Sequence, residues 1–156
     1  MSILDFFKPT PPKHKIFASQ ILNYLKEDQH ILECYGDICG SGCVDKLKLN
    51  YDLFSKHFKA IHVQILFSCM PAYLKGDNYD KFAWTLIDTV KDFDEEIWTL
   101  AKYKYSEPCI LAGLEGMIEE LNKKPFKGKL DKNITLSLIN GMKVIEIELN
   151  KFIKSF

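Results

Sequence analysis

Residues 53–74, LFSKHFKAIHVQILFSCMPAYL, decide how this chain folds. Phe54, Phe58, Ile61, Ile65 and Cys69 recur at intervals of three and four, the spacing of one helical face. From Val63 onward, Leu66, Phe67, Met70 and Leu74 fill the opposite side as well. A helix that is apolar all round has no face to give to water, so this one is predicted to be the buried centre of the fold. A membrane would also accept such a helix. A span, however, needs about 20 nearly uncharged residues, and Lys56, His57, Lys59, His62 and Gln64 interrupt the first half. Pro71 lacks a backbone donor and crowds the preceding turn, which predicts a bend between Phe67 and Pro71. Gly76, free to take a left-handed conformation, is the expected stop.

Upstream, Phe17, Ile21 and Leu25 stand four apart with Ile16, Leu22 and Tyr24 beside them, predicting an amphipathic helix over 13–28. Ser2 and Asp5 resemble a capping box for a short helix that Pro9, Pro11 and Pro12 end, so residues 1–12 read as an N-terminal arm. Between that helix and the central one, Gly36, Gly40 and Gly42 and the alternation of Leu47, Leu49 and Tyr51 predict an irregular excursion at about 30–51. Downstream, Phe82, Leu86, Val90, Phe93, Ile97 and Leu100 keep the four-three spacing behind a cap at Asp77 or Asn78. Asp94, Glu95 and Glu96 suit the positive end of a helix dipole, so a new helix starting after a break near Phe93 and one continuous helix to Tyr103 both fit.

Ser106 and Pro108 open a further helix with Leu111, Leu114, Met117, Ile118 and Leu121 on its apolar face. Residues 122–132, with Pro125, Gly128 and five lysines, read as a solvated loop. The last segment carries two patterns. Asn140-Gly141 between short apolar alternations fits a hairpin, whereas Leu138, Met142, Ile145, Leu149, Phe152 and Phe156 continue a helix to the end of the sequence and account for more residues. The expected fold is therefore all-α: a single domain, 1–156, of five or six helices around a buried central one, with α+β and a C-terminal hairpin as the alternative.

The 47% apolar and 27% charged residues are ordinary for a globular domain, and the net charge of +0 exerts no long-range pull on nucleic acid or anionic membrane. All 21 basic residues are lysine, which removes the planar fork that reads guanine edges and phosphates. Lys123, Lys124, Lys127, Lys129 and Lys132 form the basic concentration, with Phe126 beside them, but Glu119, Glu120 and Asp131 neutralise it, so no nucleic-acid partner is expected. Five cysteines, an odd number, and a first stretch, MSILDFFK, without a secretory pattern point to a reducing, cytoplasmic setting.

Thiolates and imidazole are zinc's ligands, and His30, Cys34, Cys39 and Cys43 supply four of them in one stretch. Their spacing is not that of paired zinc-knuckle cysteines, so the expected cofactor is none, with zinc as the alternative. His57 and His62 are about 140° apart around a helix, too far to share an ion, and burial of His62 would depress its pKa. Asp92, Asp94, Glu95 and Glu96 have no second acidic cluster to work with, and no phosphate-cradling glycine loop, calcium loop or G-x-S-x-G occurs. Catalysis is not expected. Trp84 and Trp98 stand beside the acids Asp92, Asp94, Glu95 and Glu96, a combination suited to a face that binds a basic partner. The expected function is thus a small helical protein that binds another protein, as an inhibitor, an immunity or antitoxin-like partner, or an adaptor; the alternative is a zinc-binding regulatory or enzymatic module at His30–Cys43.

Overall fold

Asn50 starts the central helix. Its backbone is extended, its side-chain oxygen accepts the amide of Leu53 at 3.2 Å, and its carbonyl accepts that of Phe54 at 3.0 Å. The computed structural model describes residues 11–40 and 50–104, with Lys151 and Lys154, both helical. Within them the chain forms α1 (Lys13–Lys26), α2 (Gln29–Gly40), α3 (Tyr51–Cys69), α4 (Asp77–Phe93) and α5 (Glu95–Tyr103). A single 3₁₀ turn, Met70–Ala72, joins α3 to α4, and no strand occurs among the described residues. No helix there is long and apolar enough to cross a membrane. Asn50→Ala should cost about 1 kcal/mol by leaving the Leu53 amide without its cap, read as a lower urea midpoint at unchanged slope.

Helix α1 packs along α4, where the rings of Phe17 and Phe82 meet at 5.1 Å, while α3 packs along α5 and against α2. The shared core gathers Phe17, Ile21 and Leu25 of α1, Ile31 of α2, Phe54, Phe58 and Leu66 of α3, Leu86 and Val90 of α4, and Ile97 of α5. Helix α3 is surrounded earlier in its length than its composition suggests. Every residue from His57 to Val63 is buried, whereas Ser68 beyond them is exposed. The all-round burial therefore falls on the half of the helix that carries two histidines and a lysine.

Pro71 ends the α-helix rather than kinking it. The chain tightens into the 3₁₀ turn, with the amides of Tyr73 and Leu74 both bonding to the Met70 carbonyl at 3.1 and 2.9 Å. Gly76 has the positive φ expected of it, +59°, but it stands as the N-cap of α4, in place of the Asp77 or Asn78 cap expected there. Its carbonyl accepts the Asp80 amide at 3.2 Å, and Asp77 and Asp80 place negative charge in the first turn of α4.

The irregular excursion expected at about 30–51 is helical in its first half, through Gly40. Ile31, Cys34, Tyr35 and Cys39 recur at three and four and turn inward, and Gly36 and Gly40 lie exposed with open space around them. Cysteine packs here as a small apolar residue, and Gly36 costs α2 about 1 kcal/mol that packing offsets. Tyr51, expected to end a short strand, is the first residue of α3. Between α4 and α5 the chain does break: Asp94 is extended, at φ −160°, and its carboxylate accepts the Glu96 amide at 3.0 Å. The arm at 1–10, Leu47 and Leu49, and the segments expected at 106–149 lie outside the described residues.

Candidate functional site

The acidic, aromatic stretch singled out in the sequence is divided by the fold into two parts. Trp84 projects from the middle of α4 with 64% of its surface exposed. One helical turn to either side stand Asp80 and Asp88, both exposed, with Asp77 two turns before it. Asp92 and Glu95 are exposed as well. By contrast, Trp98 is half-buried against Phe67, ring centres 6.0 Å apart. Asp94 and Glu96 are engaged by Lys56 of α3, at 3.3 Å from Asp94 and in a close ion pair with Glu96. The Glu96 bond, ahead of the Asp94 interaction, raises the Lys56 pKa. Asp94 and Glu96 thus fasten the α4–α5 corner to α3, and Trp84, Asp92 and Glu95 are left to the solvent.

A second group of polar side chains sits inside the core, where α1, α2 and α3 meet. The His62 ring, 1% exposed, packs edge-on against Phe58 at 4.5 Å and stands 5.5 Å from Tyr24 and 6.0 Å from His30. The Tyr24 hydroxyl and His62 Nδ1 share a close hydrogen bond across the α1–α3 contact. Among the described residues neither His62 Nε2 nor His30 Nε2, both buried atoms, has a hydrogen-bond partner. Burial holds His62 neutral, its pKa lowered to about 3, and it lowers His30 against the opposing pull of Glu27 and Asp28. His57 is lowered to about 4, first by burial and then by the Lys104 charge.

Lys59 is the charged member of this interior. Its ammonium pairs with Asp28 in the α1–α2 corner at 2.7 Å and lies 5.6 Å from the centre of the Phe93 ring. The carboxylate and the ring face give a buried charge the two kinds of partner it needs. Burial and then the Asp28 charge raise the Tyr51 pKa beside it. These groups orient three helices with respect to one another. No local pattern groups Tyr24, Asp28 and Lys59, and the available signal is a lysine at the heart of a predicted core helix.

Of the four candidate zinc ligands, His30 and Cys34 lie one turn apart on α2, and Cys39, nine residues from His30, is about half a turn around the helix from it. Cys43 lies outside the described residues. Cys34 and Cys39 are buried free thiols, and burial, reinforced by Asp37 and Glu33, pushes Cys34 up to about 11. No three His, Cys, Asp or Glu side chains among the described residues gather closely enough to hold a metal ion.

A groove of about 470 Å³ runs between α1 and α4, lined by Ala18, Ser19 and Leu22 on one side and Thr89, Asp92 and Phe93 on the other. It adjoins the α4 surface that carries Trp84 and Asp88. Compared with known protein families, curated proteins and solved structures, the chain matches none.

Proposed function

We propose that this protein works without catalysis, as a single helical domain that binds another protein through the outer face of α4. One observation supports this most: a tryptophan with 64% of its surface in water, framed by Asp80 and Asp88. Leaving so large an apolar ring in water gains the fold nothing, and tryptophans of this kind are the residues that dominate binding energy when a partner covers them. The neighbouring carboxylates favour a partner that brings lysine or arginine to the ring, where a cation gains from both the indole face and the acids. Inhibitory, immunity-type and adaptor roles all use such a face, and the chemistry of α4 is common to them.

Trp84→Ala should leave the unfolding free energy from urea titration within about 0.5 kcal/mol of wild type, because the ring contributes little to the core. The same substitution should weaken capture of the native partner at least about tenfold, the scale of a hot-spot truncation. Equal capture by the wild type and the variant, measured by quantitative co-purification from the native host, would refute the assignment of this face.

A further inference from the structure

We infer that the groove between α1 and α4 seats one amphipathic helix of the partner, with cationic residues along its α4 edge and anionic residues along its α1 edge. The inference rests on α4 being the partner-binding helix and adds what the partner must look like. The floor is apolar: Ala18, Leu22 and the Phe93 ring line it, and Leu22 and Phe93 are each only half-buried. Helix-sized apolar ridges fit between two helices in this way, with side chains three and four apart entering the furrow.

The two rims carry opposite charge. On α1, Lys15 and Lys26 continue the stripe of Ala18, Ser19 and Leu22, at intervals of three and four residues, and both are exposed. On α4, Asp92 lines the groove and Asp88, one turn before it, is exposed on the same side. Lys81 lies two turns before Asp88, away from the lining residues. Among the described residues no ion pair engages Lys15, Lys26, Asp88 or Asp92, so their charges remain available to an occupant. Thr85 and Thr89 turn their hydroxyls back onto the carbonyls of Lys81 and Thr85, both at 2.7 Å, which keeps the α4 wall smooth.

An occupant with lysines on both edges would be repelled by the α1 rim, and one with glutamates on both edges by the α4 rim. A mixed-edge helix satisfies both, and it can do so in one of its two directions along the groove. Three synthetic helices of about 18 residues test this, each with the same leucine stripe. One has lysine on one edge and glutamate on the other, one has lysine on both, and one has glutamate on both. Binding is read by amide chemical-shift changes in the full-length protein. The mixed-edge helix should bind at least tenfold more tightly than either of the others, with shifts at Ala18, Leu22, Thr89 and Phe93, and Leu22→Glu should abolish them. In the double variant Asp88→Lys, Asp92→Lys both rims are basic, and preference should pass to the all-glutamate helix.

Equal affinities for the three helices, or shifts confined to other helices, would overturn the inference. So would a concentration-dependent dimer in sedimentation that Leu22→Glu dissolves, since a second copy would then fill the groove. Failure of the peptides with Trp84→Ala still weakening partner capture would remove the groove and leave the α4 face; loss of neither interaction on substitution would remove both.

Discussion

Phe58→Ala is expected to cost about 3–5 kcal/mol, the range for deleting a fully buried aromatic side chain. The Phe58 ring is 0% exposed and touches the core from three directions, with ring centres 5.6 Å from Phe54, 4.5 Å from His62 and 6.4 Å from His30. A loss of that size is a large share of the 5–15 kcal/mol that ordinarily separates folded from unfolded domains. The substitution also has a chemical consequence that a purely apolar core would lack. The space left by the ring borders His62, so water entering it would solvate the imidazole and raise its pKa toward the ordinary value. Phe58→Leu, which keeps most of the volume, should cost roughly half as much or less and leave His62 protected. Urea unfolding of the three proteins at pH 7 checks the energies, and a Phe58→Ala loss under about 1 kcal/mol would show that the ring is not central.

Acid should destabilise this protein well above the pH at which carboxylates titrate. His62 and His57 are neutral in the folded chain, with pKa values lowered to about 3 and about 4, and each returns to about 6.5 on unfolding. Below pH 6.5 the unfolded chain therefore binds protons that the folded chain refuses, and stability falls as pH falls through the window from 6.5 toward 4 and 3. Each histidine contributes a slope of about 1.4 kcal/mol per pH unit, so the two together remove about 4 kcal/mol between pH 8 and pH 5. His30, also lowered by burial, adds to the effect in the same direction. Urea midpoints measured from pH 8 to pH 5 should show this loss, and His62→Phe should remove one proton's share of the slope. A midpoint that stays level over that range would mean that neither imidazole is kept from its proton.

Much of the helical framework is legible in the order of residues, because a helix is a local periodicity. The four-three recurrence of Phe17, Ile21 and Leu25 marks α1, and that of Phe82, Leu86 and Val90 marks α4. The break before α5 follows from Asp94, whose short carboxylate caps an amide two residues on better than it continues a helix. Helix α2 was hidden by its own composition. Two cysteines occupy inward positions usually marked by leucine or isoleucine, and two glycines occupy outward positions where they read as a loop.

Which polar residues are spent on the fold and which remain for a partner is a long-range matter. Trp84 and Trp98 look alike in sequence, but α3 brings Phe67 to Trp98, while Trp84 keeps 64% of its surface exposed. Asp94, Glu96 and Asp92 likewise lie within five positions of one another, and Lys56 reaches only the first two. Sequence alone determined the period of the described helices and the buried stripe of residues 53–74 that Phe54, Phe58, Ile61 and Ile65 form, since both follow from backbone geometry and from the free energy of removing apolar surface from water. The tertiary structure decided that the most enclosed turns of that stretch are the ones carrying His57, Lys59 and His62. Enclosure depends on what the other helices bring alongside, here Tyr24 from α1 and Asp28 from the corner after it, and no periodicity within the helix encodes those partners.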